Sequence, residues 1–283
     1  MTHFTHSHID AIADAVIHSV CHAEVEAHLR AGVLAHSGQR SSRISHAVYF
    51  AVLFKRLAPY ERRWKTMLWK IWAEEQAIIL ANLKKLKKAQ RRKGFSDNVM
   101  YPQAPFKEKL SKETKKILTV MLADLGQEKL DDLDLGMAFD VTNPNVKRWL
   151  TDYSFKFSEE LEAVNSERLR RILDEGMAAG KSIPELMAEV KKCFDSMDRY
   201  RAEIISRTET SRASNKAAME AYRQSGVVEK KQWLTAPDCC EICAELDGKI
   251  VALDDTFFDD DYGDGAEPPR HVSCRCSIAP IVE

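Results

Sequence analysis

The stretch that decides how this chain is read is Cys240-Glu241-Ile242-Cys243, followed after an acidic segment by His271-Val272-Ser273-Cys274-Arg275-Cys276. Two cysteines separated by two residues chelate one ion from a tight turn, and a distant Cys/His group closes the tetrahedron. Five soft donors compete for four positions: Cys240, Cys243, His271, Cys274 and Cys276. Cys239 is adjacent to Cys240 and would point away, so it is read as a bystander. The bland alternative is a set of buried reduced cysteines. Metal is favoured over disulfides because the amino terminus lacks the basic segment and apolar core of an export signal. The expected ion is structural Zn2+, since a saturated donor set leaves no open position for water.

Working outward, Gly226 closes a predicted helix over 198–225, and Val227 to Leu234 reads as a strand leading into the cysteine knuckle. Upstream, Ser182-Ile183-Pro184-Glu185 has the form of a capping box with proline in the first turn, opening a helix through Leu186 and Val190. Asn165 or Ser166 is expected to cap the helix before it, which ends near Gly176 to Gly180. Asn143-Pro144-Asn145 is read as a turn and a boundary, and 108–135 as short helical patterns alternating with charge. A block from about 45 to 90, interrupted at Pro59, reads as a long helix ending near Gly94, and residues 8–32 as an amphipathic helix. The expected fold is α+β and predominantly helical. An extended helical region over 1–154 would join a compact domain over 155–283, closed by a short-strand metal knuckle at 238–280.

The formal net charge of −1 conceals an uneven distribution. Residues 55–94 carry thirteen basic and three acidic side chains, a balance of +10, whereas 238–267 carry eleven acidic side chains against Lys249, a balance of −10. The basic cluster Lys84, Lys85, Lys87, Lys88, Arg91, Arg92 and Lys93 is a candidate contact for double-stranded DNA or an acidic partner. Trp64, Trp69 and Trp72 lie nearby at helical spacing, which fits a core stripe better than a contact surface. The acidic run Asp259-Asp260-Asp261-Tyr262-Gly263-Asp264 fails the register of a calcium loop and is read as solvated. His18 and His22, one turn apart, form a weak chelating pair, and His3, His6 and His8 a tail. No run approaches the roughly 18–20 apolar residues of a membrane helix, so secretion and membrane insertion are not expected.

The run Arg207-Thr208-Glu209-Thr210-Ser211-Arg212 sits within the predicted 198–225 helix, where spacing alone favours surface pairing between turns. Its combination with other residues carries a resemblance. Leu169, Ile172 to Gly176, Gly180-Lys181-Ser182, Arg207-Thr208-Glu209, Trp233, Cys240-x-x-Cys243 and Pro268-Pro269-x-His271-x-x-Cys274-Arg275-Cys276 follow in order. Over residues 155–283 the chain resembles the phage Mu F-like head morphogenesis family, the minor head proteins of tailed bacteriophages. The resemblance implies a minor capsid component associated with the portal or major capsid protein during procapsid assembly, and with genome packaging or delivery. It implies a virion location, with the host cytoplasm as the place of assembly, and no catalytic activity. It also implies that Arg207, Glu209 and Trp233 matter to the domain.

Two rivals come from other classes. One is a DNA-binding protein unconnected with virions; the other is an effector or toxin-linked domain with enzymatic activity. No nucleophile–base pair or phosphate-cradling glycine loop supports an enzyme. His22-Ala23-Glu24 with Cys240-x-x-Cys243 has the pieces of a zinc deaminase, but they lie on different structural units.

Overall fold

The computed structural model describes residues 43–85, 103–198, 200–259 and 265–282. The predicted 8–32 helix, the amino-terminal histidines, the end of the basic stretch and Asp260 to Asp264 lie outside the described residues. The fold is predominantly helical with one small sheet. In chain order it runs α1 (Arg43–Lys85), α2 (Gln103–Asp132), α3 (Pro144–Ala178), α4 (Ile183–Asp198), α5 (Tyr200–Ser225), β1 (Lys230–Leu234), α6 (Glu241–Ala244), β2 (Ile250–Ala252) and β3 (Ser277–Ile281).

The chain divides into two compact units that do not follow the expected split at 154/155. One unit comprises the stretch ending at Glu61, residues 120–141 and residues 205–283; the other comprises 62–119 and 142–204. No boundary forms at 155 because α3 runs unbroken across it, burying Leu150, Phe157, Leu161, Leu169 and Leu173 at helical spacing. Asn165 and Ser166 therefore cap nothing. Asn165 is buried within α3, and its side-chain oxygen is taken by the Arg201 guanidinium at 2.6 Å, so its preference for a helix start is overridden. The real start is the turn at Asn143, whose side chain accepts from the Asn145 N–H at 2.9 Å, with Pro144 in the first turn.

Two further expectations change in the same way. Residues 108–132 belong to one 30-residue helix, not several short ones, because Phe106, Leu110, Thr114, Leu118, Met121, Leu122 and Leu125 are buried at three- and four-residue spacings. Pro59 does not interrupt α1. An interior proline costs about 3 kcal/mol, and the burial of Phe50, Leu53, Leu57, Trp64 and Leu68 on either side outweighs it. Trp64 and Trp72 are core residues and Trp69 is 43% exposed, so only part of the tryptophan stripe packs inward.

The unit holding α3 and α4 is all-helical. Trp64 meets Phe157 edge-on at 5.5 Å, and Lys65 pairs with Glu203 at 2.6 Å. The capping box at α4 forms as expected: Glu185 accepts from the Ser182 N–H and hydroxyl, both at 2.7 Å. Gly176 is required by packing, since a Cβ there would lie 2.4 Å from Leu186.

The other unit carries the sheet, with antiparallel order β2-β1-β3. Gly226, at φ +68°, stops α5 and turns the chain toward β1. Trp233 on β1 pairs with Ile278 on β3, and Pro280 is tolerated because β3 is an edge strand. Behind the sheet, Met219 and Tyr222 of α5 pack with Trp233, Leu246, Phe257, Ile278 and three cysteines in one core. Trp233 meets Phe257 edge-on at 5.2 Å.

Candidate metal centre

The cysteine knuckle is built on that core. Cys240 sits at the cap of α6, a single turn, so Cys243 follows it on the same side of the turn. Cys243 is fully buried while Cys240 is exposed. The second donor group comes from a tight turn in which the Cys274 N–H donates to the His271 carbonyl at 3.1 Å. Ser273 in that turn has φ +62°, a left-handed conformation that a serine adopts only when its surroundings hold it. The holding contact is its N–H, which donates to Thr208 Oγ1 on α5 at 2.8 Å. Arg270 ties the two donor groups together by donating to the Ile242 carbonyl, midway between Cys240 and Cys243.

Five donors gather as two triads sharing one residue. Cys240, Cys243 and His271 form one, and Cys243, Cys274 and Cys276 the other, with donor atoms in each triad within 4.8 Å of one another. His271 Nε2 lies 3.1 Å from Cys240 Sγ and 3.2 Å from Cys243 Sγ, and Cys243 Sγ lies 3.8 Å from Cys274 Sγ. The other ring nitrogen, Nδ1, faces the Val272 carbonyl at 2.8 Å. A carbonyl only accepts, so Nδ1 carries the proton and Nε2 presents its lone pair to the thiols. Cys239, half-buried, belongs to neither triad.

The arrangement fits a tetrahedral thiolate-rich ion. Bonds of about 2.3 Å to sulfur give a tetrahedral edge of about 3.8 Å between two sulfurs, and about 3.6 Å between sulfur and an imidazole nitrogen. The Cys243–Cys274 separation equals the first value, and the His271 separations are a few tenths of an ångström short of the second. The thiols also compete for protons. Hydrogen bonds from Cys243 and Cys276 hold the Cys274 thiol far below its ordinary range, whereas the hydrogen bonds to Cys274 and Cys276, with burial, push Cys243 up. Such a cluster readily exchanges protons for a cation.

The remaining candidate residues distribute as follows. Trp233 is buried in the knuckle core. The Arg207–Arg212 run is not a surface ladder: Thr208, Glu209, Thr210 and Ser211 are buried, and Glu209 pairs with Arg212 at 3.8 Å. The resemblance pointed to Arg207 and Glu209 and missed Thr208, the residue that holds the Ser273 turn of the candidate donors. Lys84 and Lys85 are exposed in the last turn of α1, while Lys87, Lys88, Arg91, Arg92 and Lys93 lie outside the described residues. No helix of the described residues is long and apolar enough to cross a membrane.

Residues 167–279 match the family described as Phage Mu protein F like protein. The chain is also similar to a protein of Bacillus subtilis (strain 168) described as "Uncharacterized protein YqbB", at 25% identity over 201 residues. That alignment spans 67% of this chain and 65% of the relative. No solved structure matches.

Proposed function

We propose that this protein is a minor head component of a tailed bacteriophage, acting in head morphogenesis in contact with the portal protein or the major capsid protein. The observation that carries the proposal is the match of residues 167–279 to the Mu F-like family over the segment that holds the metal cluster. The protein would be made in the host cytoplasm and incorporated into the virion. The reading includes no catalysis: donors outnumber tetrahedral positions, so a bound ion is saturated and serves structure.

Zn2+ is the ion the donor set suits, with Cys240, Cys243, His271 and Cys274 as ligands. Cys274 is chosen over Cys276 because its sulfur already stands at the tetrahedral edge from Cys243. When bound, the ion would supply crosslinking between the α6 turn and the His271 turn. Thr208 and Arg270 hold those turns in register, and His271 keeps its proton on Nδ1 so that Nε2 can ligate.

DNA contact through Lys84, Lys85, Lys87, Lys88, Arg91, Arg92 and Lys93 extends the proposal, supported by the +10 balance of that stretch. Copurification decides the main reading. Mass spectrometry of gradient-purified virions and of portal-deficient heads should find the protein in the first and deplete it from the second. Its absence from intact virions would refute head assembly. Duplex DNA affinity that does not fall between about 50 and 200 mM salt would refute the phosphate contact.

A further inference from the structure

The sulfurs of the knuckle are not equally open to reagents. Cys243, Cys274 and Cys276 are 0, 2 and 2% exposed, and Cys239 is half-buried against the knuckle core. Cys240 is the one exposed cysteine among the described residues. Its side chain makes no capping hydrogen bond to α6, and its Sγ faces His271 Nε2 at 3.1 Å. A cysteine reacts with peroxides as the thiolate, at a rate set by its exposure. Zinc ligation keeps a sulfur deprotonated at neutral pH. Cys240 as a ligand therefore meets both conditions, while Cys239 lies outside the donor set and the other three sulfurs are shielded.

Cys243 is placed to complete the reaction. Its Sγ lies within 4.8 Å of the Cys240 Sγ. The two residues share the α6 turn, which the Ala244 N–H closes by donating to the Cys240 carbonyl at 3.0 Å. Cα atoms three residues apart on a helical turn are about 5 Å apart, inside the roughly 4.4–6.8 Å that a disulfide spans. A bridge between them needs side-chain rotation on a turn that already exists. Cys239 would have to bridge across a single peptide bond and leave its place against the core. Cys274 and Cys276 belong only to the triad that Cys240 does not enter.

We propose that Cys240 is a site of oxidation by hydrogen peroxide and that Cys243 resolves it, so that the knuckle gives up its ion when oxidised. This rests on the zinc reading given above. The Cys240 thiolate attacks one peroxide oxygen, the O–O bond breaks, and hydroxide leaves, placing a sulfenic acid on Cys240. The Cys243 thiolate attacks that sulfur, the S–O bond breaks, and a second hydroxide leaves. Each sulfur loses one electron and the peroxide gains two. The disulfide withdraws two of the four tetrahedral ligands. The α6 turn then keeps its form but loses its crosslink to the His271 turn, which stays attached through the Thr208–Ser273 and Arg270–Ile242 hydrogen bonds. In a reducing compartment the pair keeps its ion, and in an oxidising one it closes on itself.

The test uses the full-length protein purified from zinc-supplemented medium, its zinc content measured first. An equimolar dose of hydrogen peroxide is added beside a chromogenic zinc indicator. Samples taken as zinc leaves are alkylated under denaturing conditions and mapped by mass spectrometry. Loss of about one zinc per chain should accompany a Cys240–Cys243 crosslink, with Cys274 and Cys276 still alkylated. Dithiothreitol should reopen the crosslink, and added zinc should then rebind. C239S should release zinc at an unchanged rate; the map of the unsubstituted protein decides the pairing even if that variant fails to fold. Zinc retained with every thiol alkylated overturns the proposal. So does a crosslink through Cys239, Cys274 or Cys276, or release through a sulfinic acid that dithiothreitol does not reverse. Far less than one zinc per chain before peroxide is added refutes the zinc reading itself, and this proposal with it.

Discussion

Cys243 is the position from which the metal proposal is most sharply tested. It belongs to both donor triads, is fully buried, and bridges a turn at Cys240 to one at His271, 31 residues later. Replacing it by serine leaves only the separated pairs Cys240–His271 and Cys274–Cys276. A site of nanomolar Kd, held at about 1,000 times that concentration of free zinc, stabilises the folded state by about 4 kcal/mol. In a chain of this size each kcal/mol moves Tm by about 2–4 °C, so losing the ion should lower the Tm of the metal-bearing unit by roughly 8–16 °C. The assay is thermal unfolding followed by circular dichroism, with and without chelator, beside elemental analysis of the same samples. The unsubstituted protein, C239S and C276S should hold about one zinc per chain and lose stability on chelation. C243S should hold almost none, melt at the lower temperature from the outset, and ignore the chelator. The reasoning fails if the protein purified from zinc-supplemented medium carries far less than one ion, or if chelation leaves Tm unmoved. It fails more narrowly, on the choice of the fourth ligand, if C276S loses zinc as completely as C243S and C274S keeps it.

Three further outcomes follow from the same unit. Thr208→Val strands the Ser273 N–H in its left-handed turn; zinc affinity in a competition titration should fall about 10- to 100-fold while helix content stays constant. Trp233→Ala empties the space between β1 and Phe257, and urea unfolding should show a loss of about 3–5 kcal/mol. Burial depresses the Lys231 ammonium to about 8, against an ordinary value near 10.4. The unfolded chain therefore holds the extra proton between those values, so stability should rise with pH across that window and not in Lys231→Met. Urea melts of both proteins at pH 8 and at about pH 10 measure this, and parallel curves would refute it.

What could be read from residues in order, and what could not, divides along the distance over which each interaction acts. The α4 capping box and the Gly226 stop depend on backbone groups within a few residues, and both appear where expected. The cysteine and histidine spacings likewise point to one cluster because each pair lies within a single turn. Expectations resting on a local preference that a distant side chain overrides did not survive. Asn165 is a plausible cap until Arg201 takes its oxygen; Pro59 is a plausible break until buried neighbours on both sides carry the helix through.

By itself the sequence determined the candidate donor residues, the helical majority and the resemblance of the carboxy-terminal region to the Mu F-like family, since all three reside in short spacings and residue identities. Tertiary structure alone decided how those donors group, with Cys243 common to both triads and the Cys274 sulfur at the tetrahedral distance. It alone placed Thr208 under Ser273, 65 residues away. It also divided the chain into units that α1, α2 and α5 each enter in part. Contacts between residues so far apart depend on which faces are buried against each other, and no local pattern records that choice.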